Sequence, residues 1–384
     1  MIAIPLALYV HMPWCVKKCP YCDFNSHSLR GEPPYADYVD ALLDDLDGDL
    51  VDFGEALRER PIVSVFFGGG TPSLFAPEHM ARFLEGARAR LSFADDCEIT
   101  METNPGTVEH GRFDGYLAAG INRLSFGVQS FDDAKLRRLG RIHSSAEAES
   151  AVRLAREAGY TNINLDLMYA LPEQTLDGAL ADVEGAIALE PTHISHYQLT
   201  LEPNTAFARH PPPLPDDDAA WDIQEACQSR LAEAGYAQYE VSAYARPDRR
   251  CRHNLNYWQF GDYLGIGAGA HGKITDRQNR VHRRWKRRSP QGYLHAVDHA
   301  ARTDGTHAVG ADELPFEYML NALRLIDGVP MADFAARTGL DDDVIAKPLA
   351  HARARGWLQN DSTRLCATPL GQRFLNDAIA CFMP

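Results

Sequence analysis

Tyr9-Val-His-Met-Pro-Trp-Cys15-Val-Lys-Lys-Cys19-Pro-Tyr-Cys22-Asp-Phe24 joins the end of an apolar run to three closely spaced cysteines. The run before them, Leu6–His11, reads as a buried strand, and Pro13 ends it. The cysteines form a C-x3-C-x2-C triplet. Thiolates are soft ligands that suit zinc or an iron–sulfur cluster. Structural zinc prefers four closed ligands, and no obvious fourth partner follows, although His27 is close enough to serve. Three thiolates on four irons leave one iron open to a small molecule. The remaining cysteines, at 97, 227, 251, 366 and 381, are scattered. That is no disulfide framework, and it predicts a reducing cytoplasm with one metal site.

Outward from this stretch the chain repeats a rhythm of apolar run, unusual loop and amphipathic or Ala-rich segment. The apolar runs are Leu6–His11, Val63–Phe67, Cys97–Met101, Arg123–Val128, Ile163–Leu167 and His193–Leu199. Their Val, Ile, Leu and Phe content suits strands buried on both faces. Helices are expected over 35–59, 77–91, 108–119, 144–158, 175–189 and 217–234. Alternating β and α elements imply a parallel sheet with right-handed crossovers. Six units are too few for a closed eight-stranded barrel, so the fold class expected is α/β, a partial (β/α)6 TIM-like barrel over 1–235. The polar loops all follow a strand, the end of such a sheet that carries the site.

Residues 236–303 predict a strand-rich extension, with strands over Tyr239–Tyr244 and Val281–Trp285 and a Gly-rich turn. Residues 304–384 predict helices, a hairpin over Trp357–Thr368 turning at Asn360-Asp361, and a last helix: a winged-helix-like α+β domain. It carries 7 Lys and Arg against 11 Asp and Glu, which favours packing or docking over DNA binding. The whole chain has 384 residues and a net charge of −15, with 45% hydrophobic and 24% charged residues. This is an ordinary globular composition that argues against general nucleic-acid binding. No stretch approaches the ~20 apolar residues of a membrane span. The apolar start, Met1–Val10, lacks a basic n-region and reads as a strand rather than a signal peptide.

Several polar residues close strands. Phe67-Gly-Gly-Gly70-Thr71-Pro72 follows the second, and its glycines let backbone approach a ligand. Glu102, Gln129 and Asp166 end the third, fourth and fifth, and Arg141 follows in the next segment. Carboxylate and amide oxygens accept from hydroxyls or an amine, and a guanidinium pairs with a carboxylate. Each alone reads as structural; their order at strand ends makes them specific. Thr200, after the sixth strand, is a weaker member. Gly265–Gly272 reads either as a loop closing over the site or as a plain turn.

The triplet, with Tyr9 six residues ahead of it and Tyr21 just before its last cysteine, resembles the signature of the radical S-adenosylmethionine superfamily. That resemblance implies a 4Fe-4S cluster on Cys15, Cys19 and Cys22. The open iron would chelate the amino and carboxylate groups of S-adenosylmethionine. One-electron reduction, fed by a low-potential electron donor, would then release a 5′-deoxyadenosyl radical. It further implies cofactor contacts from Tyr9, Tyr21, Gly69, Gly70, Thr71, Glu102, Gln129, Arg141 and Asp166, with Thr200 near the adenine.

The resemblance runs from Tyr9 to the C-terminal helices and is nearest to the branch around oxygen-independent coproporphyrinogen III oxidase. That branch holds the oxidases and the HemW-type heme chaperones. The oxidases have a further cysteine where this chain has Phe24, and an N-terminal extension for which eight residues before Tyr9 leave no room. His253-Asn254-Leu-Asn-Tyr257-Trp258 matches the H-N-x-x-Y-W signature of the chaperones. The resemblance therefore implies heme and heme-acceptor proteins as partners, with His253 as a heme-associated residue and Cys251 as a weaker thiolate alternative. A cluster that only fixes a loop is an equal reading of the same residues.

Arg277–Arg288 holds seven Lys and Arg in twelve residues. It reads as a solvated strand and turn, or as a cationic rim for heme propionates, an acidic partner or anionic lipid, hence peripheral membrane association. Trp285 could stack on a base, but nothing else supports nucleic acid. Three functions follow: a heme chaperone, a radical enzyme that decarboxylates coproporphyrinogen III, and a zinc-stabilised winged-helix regulator. The sequence leaves open monomer or dimer.

Overall fold

Six strands follow the apolar runs: β1 (Leu6–Met12), β2 (Ile62–Gly69), β3 (Phe93–Thr103), β4 (Arg123–Gln129), β5 (Ile163–Tyr169) and β6 (His193–Gln198). They pair in parallel in chain order. The computed structural model describes residues 4–106 and 112–384; the expected strand start at Met1–Ala3 and the part of the 108–119 helix over 108–111 lie outside them. Between the strands run α1 (Tyr35–Leu57), α2 (Pro77–Arg88), α3 (Phe113–Ala118), α4 (Asp133–Arg138), α5 (Ser145–Glu157), α6 (Leu176–Ala188) and, after β6, α7 (Asp217–Glu233). Local chemistry sets several starts. Ser144 and Glu147 form a capping box at α5, and the Asp216 side chain accepts from Ala219 N at α7.

The strands are not apolar on both faces. Ile99, Met101, Leu124, Phe126, Val128, Leu165, Leu167 and Ile194 face the helices and join the main core. Their alternating neighbours Glu102, Arg123, Ser125, Asn164, Asp166, Ser195 and Tyr197 line a cavity inside the barrel. Period-two alternation makes one face core and the other site.

The sheet does not stop at six strands. Helix α8 (Arg252–Trp258) separates β7 (Ala237–Glu240) and β8 (Ala243–Ala245) from β9 (Asp262–Ile266), β10 (His271–Thr275), β11 (Val281–Lys286) and β12 (Thr303–Ala308). The full order is β12-β11-β10-β9-β1-β2-β3-β4-β5-β6-β8-β7. The single strand expected over Tyr239–Tyr244 is two antiparallel strands with a turn at Val241-Ser242. Strand β9, whose last two residues, Gly265 and Ile266, open the expected Gly-rich loop, pairs in parallel with β1. Gly265 lets β9 and β10 cross: a Cβ there would lie 1.9 Å from the His271 carbonyl oxygen.

The cationic stretch is largely ion-paired, with Arg277, Arg280 and Arg287 still 58%, 66% and 43% exposed, as the solvated strand-and-turn reading expects. Arg277 pairs with Glu55, Arg280 with Asp276, Arg283 with Glu317, Arg284 with Asp49 and Asp52, and Arg287 with Asp304. Lys286 Nζ bridges Asp45 (2.6 Å) and Asp49 (2.7 Å), which lie one turn apart on the buried face of α1. Only Arg288 of the seven lines the cavity.

The C-terminal region packs helices Leu314–Ala322, Ala332–Thr338 and Asp343–Ala354 around a second core that includes Tyr318, Phe334, Ile345 and Leu358. Val329–Pro330 pairs with Arg364–Leu365, and Leu358 bridges Ala367. Asp361 Oδ1 accepts from Thr363 N at the wing's tip. Among the described residues, no helix is long and apolar enough to cross a membrane.

Candidate functional site

The cysteine loop is pinned to the barrel from both sides. Trp14–Cys15 forms two bridges with His27–Ser28, and Gly70 N and Thr71 N donate to Met12 O and Trp14 O, each at 2.7 Å. Gly70 permits this approach, since a Cβ there would lie 2.5 Å from the Trp14 carbonyl oxygen. Arg141 reaches from behind α4: Nη1 lies 3.7 Å from Cys19 Sγ, and Nη2 donates to Asn104 Oδ1 (2.5 Å) and Gly127 O (2.6 Å). On the other side, Asn25 Nδ2 donates to Ala268 O and Arg288 O, each at 2.9 Å. The Gly265–Gly272 segment is thus a strand and a turn that hold the cysteine loop.

The donor set suits a cluster better than a single ion. Zinc–thiolate bonds of about 2.3 Å put tetrahedral sulfurs about 4 Å apart. Among the described residues, the only three His, Cys, Asp or Glu ligand atoms mutually within 4.8 Å are those of Asp45, Asp49 and His299, where Lys286 already supplies the cation. The three cysteine thiols are free and half-buried, spread wider than one ion requires, beside the cationic Arg141.

Behind the loop lies a cavity of about 650 Å³, the size of a small-ligand site. Tyr9, Gly69, Glu102 and Asp166 line it, with His253. Tyr9 Oη and His11 Nδ1 share a hydrogen bond of 3.0 Å. Gly69 N donates to Glu102 Oε2 at 3.1 Å. Burial, with the nearby Asp166 charge, pushes the Glu102 carboxyl up to about 8. Burial likewise raises Asp166, although Ser125 Oγ and Asn164 Nδ2 donate to it.

Gln129 and Arg141 meet beside Gly127, outside the residues that line the cavity: a Cβ on Gly127 would lie 3.1 Å from Gln129 Nε2 and 3.2 Å from Arg141 Nη2. A bulge between Gly127 and Gln129, with Gln129 at φ 71°, turns that side chain there. Thr71 Oγ1 accepts from Asn104 Nδ2 at 2.9 Å. Tyr21 packs on Phe207 behind the cysteines, outside the cavity. Thr200 is not brought in: it is exposed and donates to Glu202.

His253 sits on the cavity floor. The H-N-x-x-Y-W stretch is a helix, α8, which carries His253, Asn254, Tyr257 and Trp258 to the cavity. His253 Nδ1 and Ser64 Oγ share a hydrogen bond of 3.1 Å, and the ring lies 5.1 Å from Phe66 and 6.3 Å from Tyr9. Burial, then the Arg123 charge, lowers it to about 3, so the imidazole is neutral. Cys251 is fully buried and lies against Glu98, away from the cavity. Sequence reasoning missed Asn104, His11, Asn25 and Arg123. The first two had a signal, since Asn104 follows Glu102 by two residues and His11 shares the strand face of Tyr9.

A family model described as the radical SAM superfamily matches residues 9–184, and one described as the HemN C-terminal domain matches residues 309–374. Heme chaperone HemW of Escherichia coli (strain K12) is 51% identical over 379 residues, covering 99% of this chain and 98% of the relative. The same-named protein of Bacillus subtilis (strain 168) is 31% identical, covering 98% of each chain. The crystal structure of coproporphyrinogen III oxidase (HemN) from Escherichia coli aligns with a TM-score of 0.82 at 25% identity, covering 99% of this chain and 90% of that one. Full-length identity of this order, on a chain that carries both domain signatures in sequence, places the protein in the HemW heme-chaperone family of the radical SAM superfamily.

Proposed function

We propose that this chain binds heme and passes it to acceptor proteins, with a 4Fe-4S cluster on Cys15, Cys19 and Cys22 and S-adenosylmethionine at the rim above the cavity. The observation that carries the reading is α8. One helix brings a neutral imidazole, a tyrosine and a tryptophan into the same cavity as Glu102 and Asp166. A neutral imidazole is the form that ligates iron, and aromatic walls suit a porphyrin face.

The cluster, when bound, would supply a chelating iron and a one-electron centre. The protein's own residues orient what binds there. Glu102 accepts from an amine, Gln129 and Arg141 meet beside Gly127, and Asp166 accepts from hydroxyls. Lys17 is exposed beside the cysteines and suits the acidic face of a low-potential electron donor, while Lys18 Nζ donates to Phe24 O and Ser26 O within the loop. Ion pairing of Arg277, Arg280, Arg283, Arg284 and Arg287 with acids of the same chain favours a structural role for this stretch over a lipid-binding one.

Hemin titrated into the cluster-loaded protein should give a Soret band that weakens and shifts in His253→Ala. An unchanged spectrum removes His253 as the ligand. Conversion of coproporphyrinogen III to protoporphyrinogen under reducing conditions would instead make the protein an oxidase.

A further inference from the structure

The cavity floor holds a cation that the fold leaves without a hydrogen bond. Among the described residues, four Lys and Arg side chains are buried: Arg123, Lys273, Lys286 and Arg302. Lys273 donates to Asp262, Lys286 to Asp45 and Asp49, and Arg302 to Tyr293 O. Arg123, 2% exposed, donates to no acceptor among the described residues. Its nearest carboxylate, Glu98, lies 4.0 Å from Nε, and Nε itself has no partner. Glu98 Oε1 accepts from Arg252 N at 2.8 Å and from Cys251 Sγ at 3.6 Å, so only Oε2 faces Arg123, too far for a hydrogen bond. Asp166, the other acid nearby, is engaged by Ser125 and Asn164.

A buried guanidinium offers five donors in a planar fork and remains charged. Nε is sealed off without a partner, so an acceptor for the fork can come only from what enters the cavity. Arg123 lines the cavity with His253, Ser125 and the partly exposed Asn254. Two sets of donors therefore line one cavity, which Glu102 and Gly69 also line.

We propose that the cavity floor is a carboxylate-binding site in which Arg123 is the anchor and Asn254 a second donor. This deepens the heme reading and rests on it for the source of the carboxylate, a heme propionate. A free small carboxylate offers the same chemistry.

The test uses the full chain with its cluster reconstituted, and two ligand pairs: hemin against hemin dimethyl ester by Soret titration, and 1-naphthoate against 1-naphthamide by calorimetry. Bidentate pairing predicts at least about tenfold tighter binding of each acid than of its neutral analogue. That preference should disappear in Arg123→Met. Because Arg123→Met leaves Glu98 uncompensated, the double variant Glu98→Gln/Arg123→Met is measured beside it, and circular dichroism confirms folding.

Loss of the hemin preference in both variants supports a propionate on Arg123. Loss of the naphthoate preference alone supports a free carboxylate as the source. If hemin does not bind at all, the heme reading fails, and the naphthoate pair still decides the site. The proposal is overturned if neither acid is preferred, or if the preference survives unchanged in both variants.

Discussion

Replacing Glu102 by Gln should flatten a pH dependence that the ligand-free protein owes to one carboxyl group. Burial, with the Asp166 charge adding, raises that carboxyl from 4.5 to about 8, and the Gly69 N–H offsets little of the rise. A raised carboxyl binds its proton more tightly in the folded state than in the unfolded one. Stability from this group is therefore complete below pH 4.5 and falls as pH rises towards 8. Between pH 5.5 and 7.5 the loss is two units at about 1.4 kcal/mol each, about 3 kcal/mol. Gln keeps the shape and an oxygen for the Gly69 N–H without titrating. Guanidinium unfolding at the two pH values, on cluster-loaded protein without S-adenosylmethionine, measures the difference. Wild type should lose about 3 kcal/mol more than the variant. An amine placed on Glu102 would restore its charge, so the stabilisation by added S-adenosylmethionine should grow with pH in wild type and not in the variant. Equal pH slopes for the two proteins would refute the assignment of a desolvated, protonated Glu102.

Three further outcomes are expected. Gly70→Ala puts a Cβ against the Trp14 and Met12 carbonyl oxygens, so it should cost about 1–3 kcal/mol and weaken iron retention; wild-type iron content and melting temperature would contradict the close approach. Lys286→Met removes the cation that bridges Asp45 and Asp49, leaving Asp49 with Arg284 and Asp45 with His299 and Tyr293, and should cost about 2–4 kcal/mol, read by chemical unfolding; a loss under about 1 kcal/mol would show that the bridge matters little. Cys19→Ser should lose the cluster that wild type holds at about four irons per chain; a full iron complement in the variant would remove Cys19 from the ligand set.

The barrel was legible because its strands are punctuated. Each apolar run ends in a loop with a glycine, proline or polar break, and all six became strands of the sheet. The parts that were not legible have physical reasons. Strand β9 is short and its end, from Gly265, reads as a turn; only its pairing with β1 makes it a strand. Arg123 opens an apolar run, where a charge looks like a strand boundary rather than a cavity floor. The Arg277–Arg288 cluster looked like an open basic surface, because its partners Asp45, Asp49, Asp52 and Glu317 are remote in sequence. Thr200 was placed by strand order alone, and the chain turns outward after Gln198. The cysteine ligands, by contrast, needed no tertiary information, since eight residues contain all three.

The position of β9 bears on how the chain is made. Strand β1 leaves the ribosome long before residues 262–266, yet one of its two hydrogen-bonding edges is satisfied by them. Until that part of the chain has been synthesised, a strand as apolar as Leu6–Met12 presents an open edge, the usual template for mispairing between nascent chains. An expression fragment cut after the sixth βα unit would carry the same defect permanently. The cofactor-loop half of this molecule should therefore precipitate when produced alone and become soluble when the missing segment is supplied in trans.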